Sequence, residues 1–303
     1  MKKFFRYVIL TSLFLGIGPI YGQLVVNTTT YTSPNPATSL VNNVLLGTGV
    51  TASNIVFTPA ANSSIQLGYF NGTNSNLGLD SGIVLTTGEV AELDPAYTGW
   101  PTFTGTPGIN DLLTVANSVP PMIGQSFTVS SVNDMAMLEF DFVPSSDTVK
   151  FKYVFASDEY TAWINSTFND VFGFFISGPG ITGPYAGNSQ NIAVVPNSNP
   201  PLPITISSVQ PALNGQYYID NQNNTTVGLN GFTTVFTAMS PVTCGLTYHI
   251  RIAIADGSDG SLASAVFLDA NSFSSQGVQI TGSVSIGGTD SILYEGCGIA
   301  TIE

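Results

Sequence analysis

The sequence predicts an all-β fold: a β-sandwich, jelly-roll or lectin-like, carrying one or two short helices. Three observations predict it. Short runs rich in Val, Ile, Thr, Phe and Tyr recur along the chain, separated by Gly, Pro, Asn and Asp, the pattern of many short strands joined by tight turns. Apolar residues at the three-and-four spacing of a helix are scarce. Of the 303 residues 43% are hydrophobic, with 19 Phe and 12 Tyr, which is enough to fill a large core and too apolar for a disordered chain.

Each element follows in order. Lys2, Lys3 and Arg6 precede an apolar stretch over residues 7–17, and Gly22 stands before Gln23. This is the layout of a secretory signal peptide over residues 1–22, too short for a membrane-spanning helix. Residues 38–46 follow Pro36 and set Leu40, Val41, Val44 and Leu45 on one face, so a short helix is expected there, and a second at 109–116. Strands are expected at 82–87, 137–143, 148–156, 171–177, 192–195, 204–209, 232–238, 247–255 and 265–271. Leu138, Phe140 and Phe142 alternate with Glu139 and Asp141, while Phe151 and Tyr153 alternate with Lys150 and Lys152. A hairpin turning at Pro144-Ser145-Ser146-Asp147 would set Asp141 opposite Lys150 and Glu139 opposite Lys152, each pair worth about 0.2–1 kcal/mol. Both lysines are therefore expected to fix strand register.

The charge pattern excludes several classes. Nineteen acidic residues stand against six basic ones and one histidine. Beyond residue 22 only Lys150, Lys152 and Arg251 remain basic, three cations against 19 acids, a net charge of −16. Nucleic-acid binding needs clustered Lys and Arg, and so does docking on anionic lipid; neither partner is expected. One histidine and two cysteines are too few for a His/Cys zinc or haem site. No stretch after the signal peptide is long and apolar enough to span a bilayer as a helix. Export permits Cys244 and Cys297 to oxidise; whether they pair with each other stays open, because they fall in different expected domains.

Several motifs carry a family likeness. Leu77-Gly78-Leu79-Asp80-Ser81-Gly82-Ile83-Val84-Leu85-Thr86-Thr87-Gly88 is followed by Leu138-Glu139-Phe140-Asp141-Phe142-Val143-Pro144 and Tyr153-Val154-Phe155-Ala156-Ser157-Asp158-Glu159-Tyr160. Then come Phe168-Asn169-Asp170-Val171-Phe172-Gly173-Phe174-Phe175-Ile176-Ser177-Gly178-Pro179-Gly180, Tyr248-His249-Ile250-Arg251-Ile252-Ala253-Ile254-Ala255-Asp256 and Val266-Phe267-Leu268. In this order the segments resemble the choice-of-anchor L domain of secreted bacterial proteins, over about residues 37–275. The resemblance implies a protein exported to the cell surface, of the Bacteroidetes type associated with gliding motility or type IX secretion. It brings no catalytic activity or ligand with it. Residues 23–275 are read as this one domain. Residues 293–303 resemble the opening of a Calx-β-like or immunoglobulin-like repeat, so a second β domain is expected over 276–303, with further C-terminal domains beyond.

The candidate sites are carboxylates and aromatics. Asp158 and Glu159 with Asn169 and Asp170, and then Asp256 and Asp259, form two regions that follow strong strands, so their loops can converge at one end of a sandwich. Calcium takes six to eight oxygen ligands of these types, which makes Ca2+ the expected cofactor if there is one. The alternative is that the Asp-Gly-Ser-Asp-Gly run at 256–260 is a solvated turn chosen for backbone geometry, since EF-hand spacing is absent. Catalysis is not expected. A glycosidase needs two carboxyls ~5–9.5 Å apart, one with a raised pKa, and lysines opposite Glu139 and Asp141 would lower theirs. No Gly-x-Ser-x-Gly elbow supports a triad with His249, which reads as a hydrogen-bonded structural residue. Trp100, Tyr160 and Trp163, with Tyr97, lie in loop contexts suited either to stacking on a glycan or to capping the core. The sequence therefore predicts a non-catalytic interaction module whose partners are extracellular glycans or surface proteins. A carbohydrate-active hydrolase or binding accessory, and an architectural stalk, are the alternatives.

Overall fold

The computed structural model describes residues 23–27, 36–223 and 225–276. The expected signal peptide, Cys297 and almost all of the expected second domain lie outside the described residues. The chain forms β1 (Val25–Asn27), α1 (Pro36–Leu40) running into a π-helical turn (Val41–Leu45), β2 (Val50–Thr58), β3 (Leu67–Asn71), β4 (Ser81–Thr86) and α2 (Asn110–Met122). It continues through β5 (Val132–Pro144), β6 (Thr148–Ser157), β7 (Val171–Ser177), β8 (Gln190–Asn191), β9 (Tyr218–Asp220), β10 (Gly231–Thr233), β11 (Phe236–Pro241), β12 (Tyr248–Gly257) and β13 (Ser264–Asp269). One sheet has the order β1-β3-β4-β13-β6-β10-β9, with β11 also on β6; the other is β2-β5-β12-β7-β8. The pairs are antiparallel throughout. The chain is thus mostly β, in two antiparallel sheets.

The expected hairpin does not form. β5 pairs with β2 and β12, whereas β6 pairs with β10, β11 and β13, so the Pro144–Asp147 connection carries the chain from one sheet to the other. Asp141 lies across from His249 and Glu139 from Arg251. Lys152 reaches Asp269 at 3.9 Å, and Lys150 lies beside Met239. The physical reason is in the aromatic rows. Alternation says which face of each strand is apolar, and either a hairpin or a crossover buries that face. Only the crossover lets rows from two sheets press together: Phe151 meets Phe174 at 4.3 Å and Tyr153 meets it at 5.0 Å, both edge to face. Phe273 then packs within 5.1–5.3 Å of Phe140, Phe142 and Phe151.

Other boundaries shift for local reasons. Leu40, Val41, Val44 and Leu45 are buried as their spacing predicts. Helix α2 runs on to Met122, six residues past its expected end. Residues 192–195 and 204–209 form no strand; each contributes single bridges, Val194 to Pro203 and Thr205 to Val171. The segment 232–238 divides into β10 and β11, both lying along β6. Cys244 is disulfide-bonded. No helix among the described residues is long and apolar enough to cross a membrane.

Candidate binding site at one end of the sheets

Strand register brings the acidic segments together. The pairs Gly257↔Val132, Ala255↔Val171 and Ser264↔Ser157 put the start of β5, the end of β6, the start of β7, the end of β12 and the start of β13 at the same end. Asp170, immediately before β7, clasps the two sheets there. Its Oδ1 accepts from the Gly257 N–H at 2.9 Å, and its Oδ2 accepts from the hydroxyls of Ser264 at 2.6 Å and Ser157 at 3.5 Å. Gln66 makes a second clasp, its amide donating to the carbonyls of Thr86, Thr87 and Asp134 at 3.0–3.2 Å. Asp134 has φ +50°. Its carboxylate accepts from the Thr104 hydroxyl and the Gly105 N–H, which ties down the loop 95–109. Gly260 closes over it so tightly that a Cβ there would stand 1.9 Å from Asp134 Oδ2. A side chain at position 260 would force the Asp134 carboxylate aside.

Burial governs the electrostatics of this end. Glu159, Asp170 and Asp256 are 3%, 0% and 3% exposed. Burial pushes Asp170 up to about 7 and Asp158 up to about 6. Burial, then the charge of Asp170, pushes Glu159 up to about 9, and the same two causes hold Asp256 well above the carboxylate range. Glu159 Oε2 and Asp256 Oδ1 have no hydrogen-bond partner. The cations answer other groups: Arg251 binds Asp111 at 2.7 Å and lies over Phe175, and Lys152 reaches Asp269. His249 contacts Asp141 at 2.8 Å and Glu139 at 3.4 Å, the structural place expected for it. Hydrogen bonds from Asn54 and then His249 hold the Asp141 carboxyl below its usual range.

A pH dependence follows, with its sign set by the raised values. Each of these carboxyls holds its proton more tightly folded than unfolded, so its stabilising contribution is complete below the ordinary range near about 4. That contribution is lost as pH rises through about 6 for Asp158, about 7 for Asp170 and about 9 for Glu159. The facing charges, Asp134 and Asp259, with Glu92 near Asp158, act in the same direction. In chelator, the urea midpoint is expected to fall between about pH 5 and about pH 8; a rising midpoint would contradict this.

The expected site residues divide between two surroundings. Glu159, Asp170, Asp256 and Asp259 share the acidic end and bear on one another electrostatically. Asp158 also bears on Glu159 but is tied to the fold by accepting from the Asn230 N–H at 3.1 Å. Asn169 spends its amide on the fold, donating to the Ala116 carbonyl and accepting from the Ser207 N–H. Asp134 joins the acidic end without having been expected; its only signal was an Asn-Asp pair heading a strand.

The aromatics also divide. Trp100 is 89% exposed and Trp163 43%, the latter set edge-on against Phe168. Tyr160 is buried at 1%, packed on Tyr218, and so cannot stack on a glycan. It lies three residues past the end of β6, packed inward beside Tyr218 of β9 and Gly231 of β10. Phe103, 62% exposed and not expected, lines an open cleft of about 400 Å3 with Asn133, Asp134, Ser258, Asp259 and Gly260. The loop that carries Trp100 and Phe103 is fastened by the Thr102 N–H to Glu92 at 2.7 Å and by the Asp134 bonds.

Two antiparallel sheets with a cleft among the loops at one end define a mostly β module. Residues 25–274 match the family model described as Choice-of-anchor L domain, and the chain belongs to that family. It is a family of non-enzymatic, surface-anchoring domains of exported proteins. Neither the curated proteins nor the solved structures contain a match to the chain.

Proposed function

We propose that this domain is the interaction module of an exported, surface-anchored protein, and that on its lectin-like two-sheet scaffold it holds a neutral glycan in the cleft beside Phe103. Such a module would serve adhesion or gliding motility in a bacterium that exports it by type IX secretion. The observation that carries the reading is the cleft itself. Phe103 offers a ring face for the apolar side of a sugar, Asn133, Asp134, Ser258 and Asp259 offer hydroxyl partners, and exposed Trp100 stands on the same fastened loop. The net charge of −16 beyond residue 22 argues for a neutral ligand over an acidic polysaccharide.

A glycan array probed with the full chain tests this. Neutral oligosaccharides are expected to be retained without turnover, and Phe103→Ala and Trp100→Ala are each expected to weaken retention about ten-fold, the value of one stacked ring. Retention unchanged in both variants would move the ligand elsewhere. Release of shortened sugar would favour a hydrolase, and no retention at all would favour an architectural stalk.

A further inference from the structure

We propose that the sheet end where Glu159, Asp170 and Asp256 converge binds one calcium ion, independently of what the cleft holds. Three observations on this chain support it. First, carboxylates from three segments lie at this sheet end and bear on one another electrostatically: Glu159 after β6, Asp170 before β7 and Asp256 in β12. Second, this convergence leaves two buried carboxylate oxygens, Glu159 Oε2 and Asp256 Oδ1, with no hydrogen-bond partner, although both residues are only 3% exposed. A buried carboxylate oxygen left without a donor is costly, and native interiors rarely contain one. Third, neither Arg251 nor Lys152 answers these carboxylates, because each is engaged with an acid elsewhere in the fold.

The ligand chemistry selects the ion. All the groups offered are oxygens, which suit a hard cation and exclude thiolate- or imidazole-seeking metals. Among the described residues no three acidic side chains close round a single point. A finished three-carboxylate cage is therefore not what binds. Calcium accepts two carboxylates with hydroxyl, carbonyl and water oxygens in irregular geometry. On this proposal the two unpartnered oxygens supply the carboxylates; the Thr87 hydroxyl bonds Asp256, and the Ser157 and Ser264 hydroxyls bond Asp170 at the same sheet end. Asp256 also lines a small cavity of about 10 Å3, the size of a single water-sized sphere. Asp170 remains the sheet clasp, its oxygens already occupied by Gly257, Ser264 and Ser157, and adds charge that favours the ion.

The test is thermal unfolding and calorimetric titration of the full chain with calcium chloride, against EDTA, at one fixed pH. About 10 mM calcium, well above the range of extracellular calcium modules, is expected to raise the midpoint by about 5 °C or more, with one ion bound per chain. Glu159→Gln and Asp256→Asn keep shape and remove charge. Each is expected to fold in EDTA with a midpoint no lower than the parent and to lose at least ten-fold in calcium affinity. Two results would overturn the proposal: no calcium-dependent shift in the parent chain, meaning that protons alone neutralise the cluster, or an undiminished shift in both variants, meaning that the ion sits elsewhere.

Discussion

Phe174→Ala is expected to destabilise the domain by about 3–5 kcal/mol, the cost of emptying a fully buried aromatic position. Phe174 is 0% exposed and sits where the two sheets meet, edge to face with Phe151 at 4.3 Å, Phe172 at 4.4 Å and Tyr153 at 5.0 Å. The cavity cannot be filled cheaply, because the neighbouring rings are themselves held by sheet registers on both sides. Each lost ring pair adds to the lost burial, about 0.5–1.5 kcal/mol beyond area. Phe174→Leu, closer in volume, is expected to cost under about 1.5 kcal/mol. Urea denaturation at neutral pH measures both. A loss below about 1.5 kcal/mol for the alanine variant would mean that the inter-sheet aromatic layer is not the main seam of the fold.

Asp170→Ala is expected to cost about 3 kcal/mol, for a different reason. It removes the one acceptor shared by the Gly257 N–H and the Ser264 and Ser157 hydroxyls, all buried, and each unpaired buried donor costs about 1–3 kcal/mol. Part of the cost is offset by relief of the repulsion that Asp170 exerts on Glu159 and Asp256. Asp170→Asn separates the two effects. It keeps an oxygen for Gly257 and a polar group for Ser264 while removing the charge, so it is expected to stay within about 1 kcal/mol of the parent. Equal losses for the two variants would show that charge, and not the clasp, is what the position supplies.

Much of the fold was legible along the chain. The Phe140/Phe142 and Phe151/Tyr153 alternation states which side of each strand is buried, and all four residues are buried. The spacing of Leu40, Val41, Val44 and Leu45 likewise marks a buried face. Partner choice was not legible. A turn such as Pro144–Asp147 suits a hairpin or a crossover, and the charge pairing of Asp141 and Glu139 with the two lysines was equally consistent with the hairpin. What decided between them was contact among rings more than twenty residues apart, Phe151 with Phe174, which no local pattern encodes. β1, β2, β3, β8 and β9 escaped notice for a related reason: they are short or partly exposed, and gain their order from the strands beside them.

The candidate site divides in the same way. The residue types were visible, because a chain with so few cations leaves carboxylates and aromatics as its only reactive or sticky surface. Which of them belong together was not. Asn169 has the right chemistry for a ligand yet spends its amide on Ala116 and Ser207, and Tyr160 has the right ring yet lies in the core. Asp134 and Phe103 entered because register and a fastened loop place them at the cleft.

By itself the sequence determined a mostly β chain, its acidity, its family and the poverty of basic residues that leaves carboxylates unanswered. Composition and alternation are local quantities, and the solvent reads them residue by residue. Only the tertiary structure decided which strands share a sheet, which carboxylates lose their water, and which ring faces the cleft. Those outcomes depend on packing between segments distant in the chain, where one crossover in place of one hairpin changes every neighbour at once.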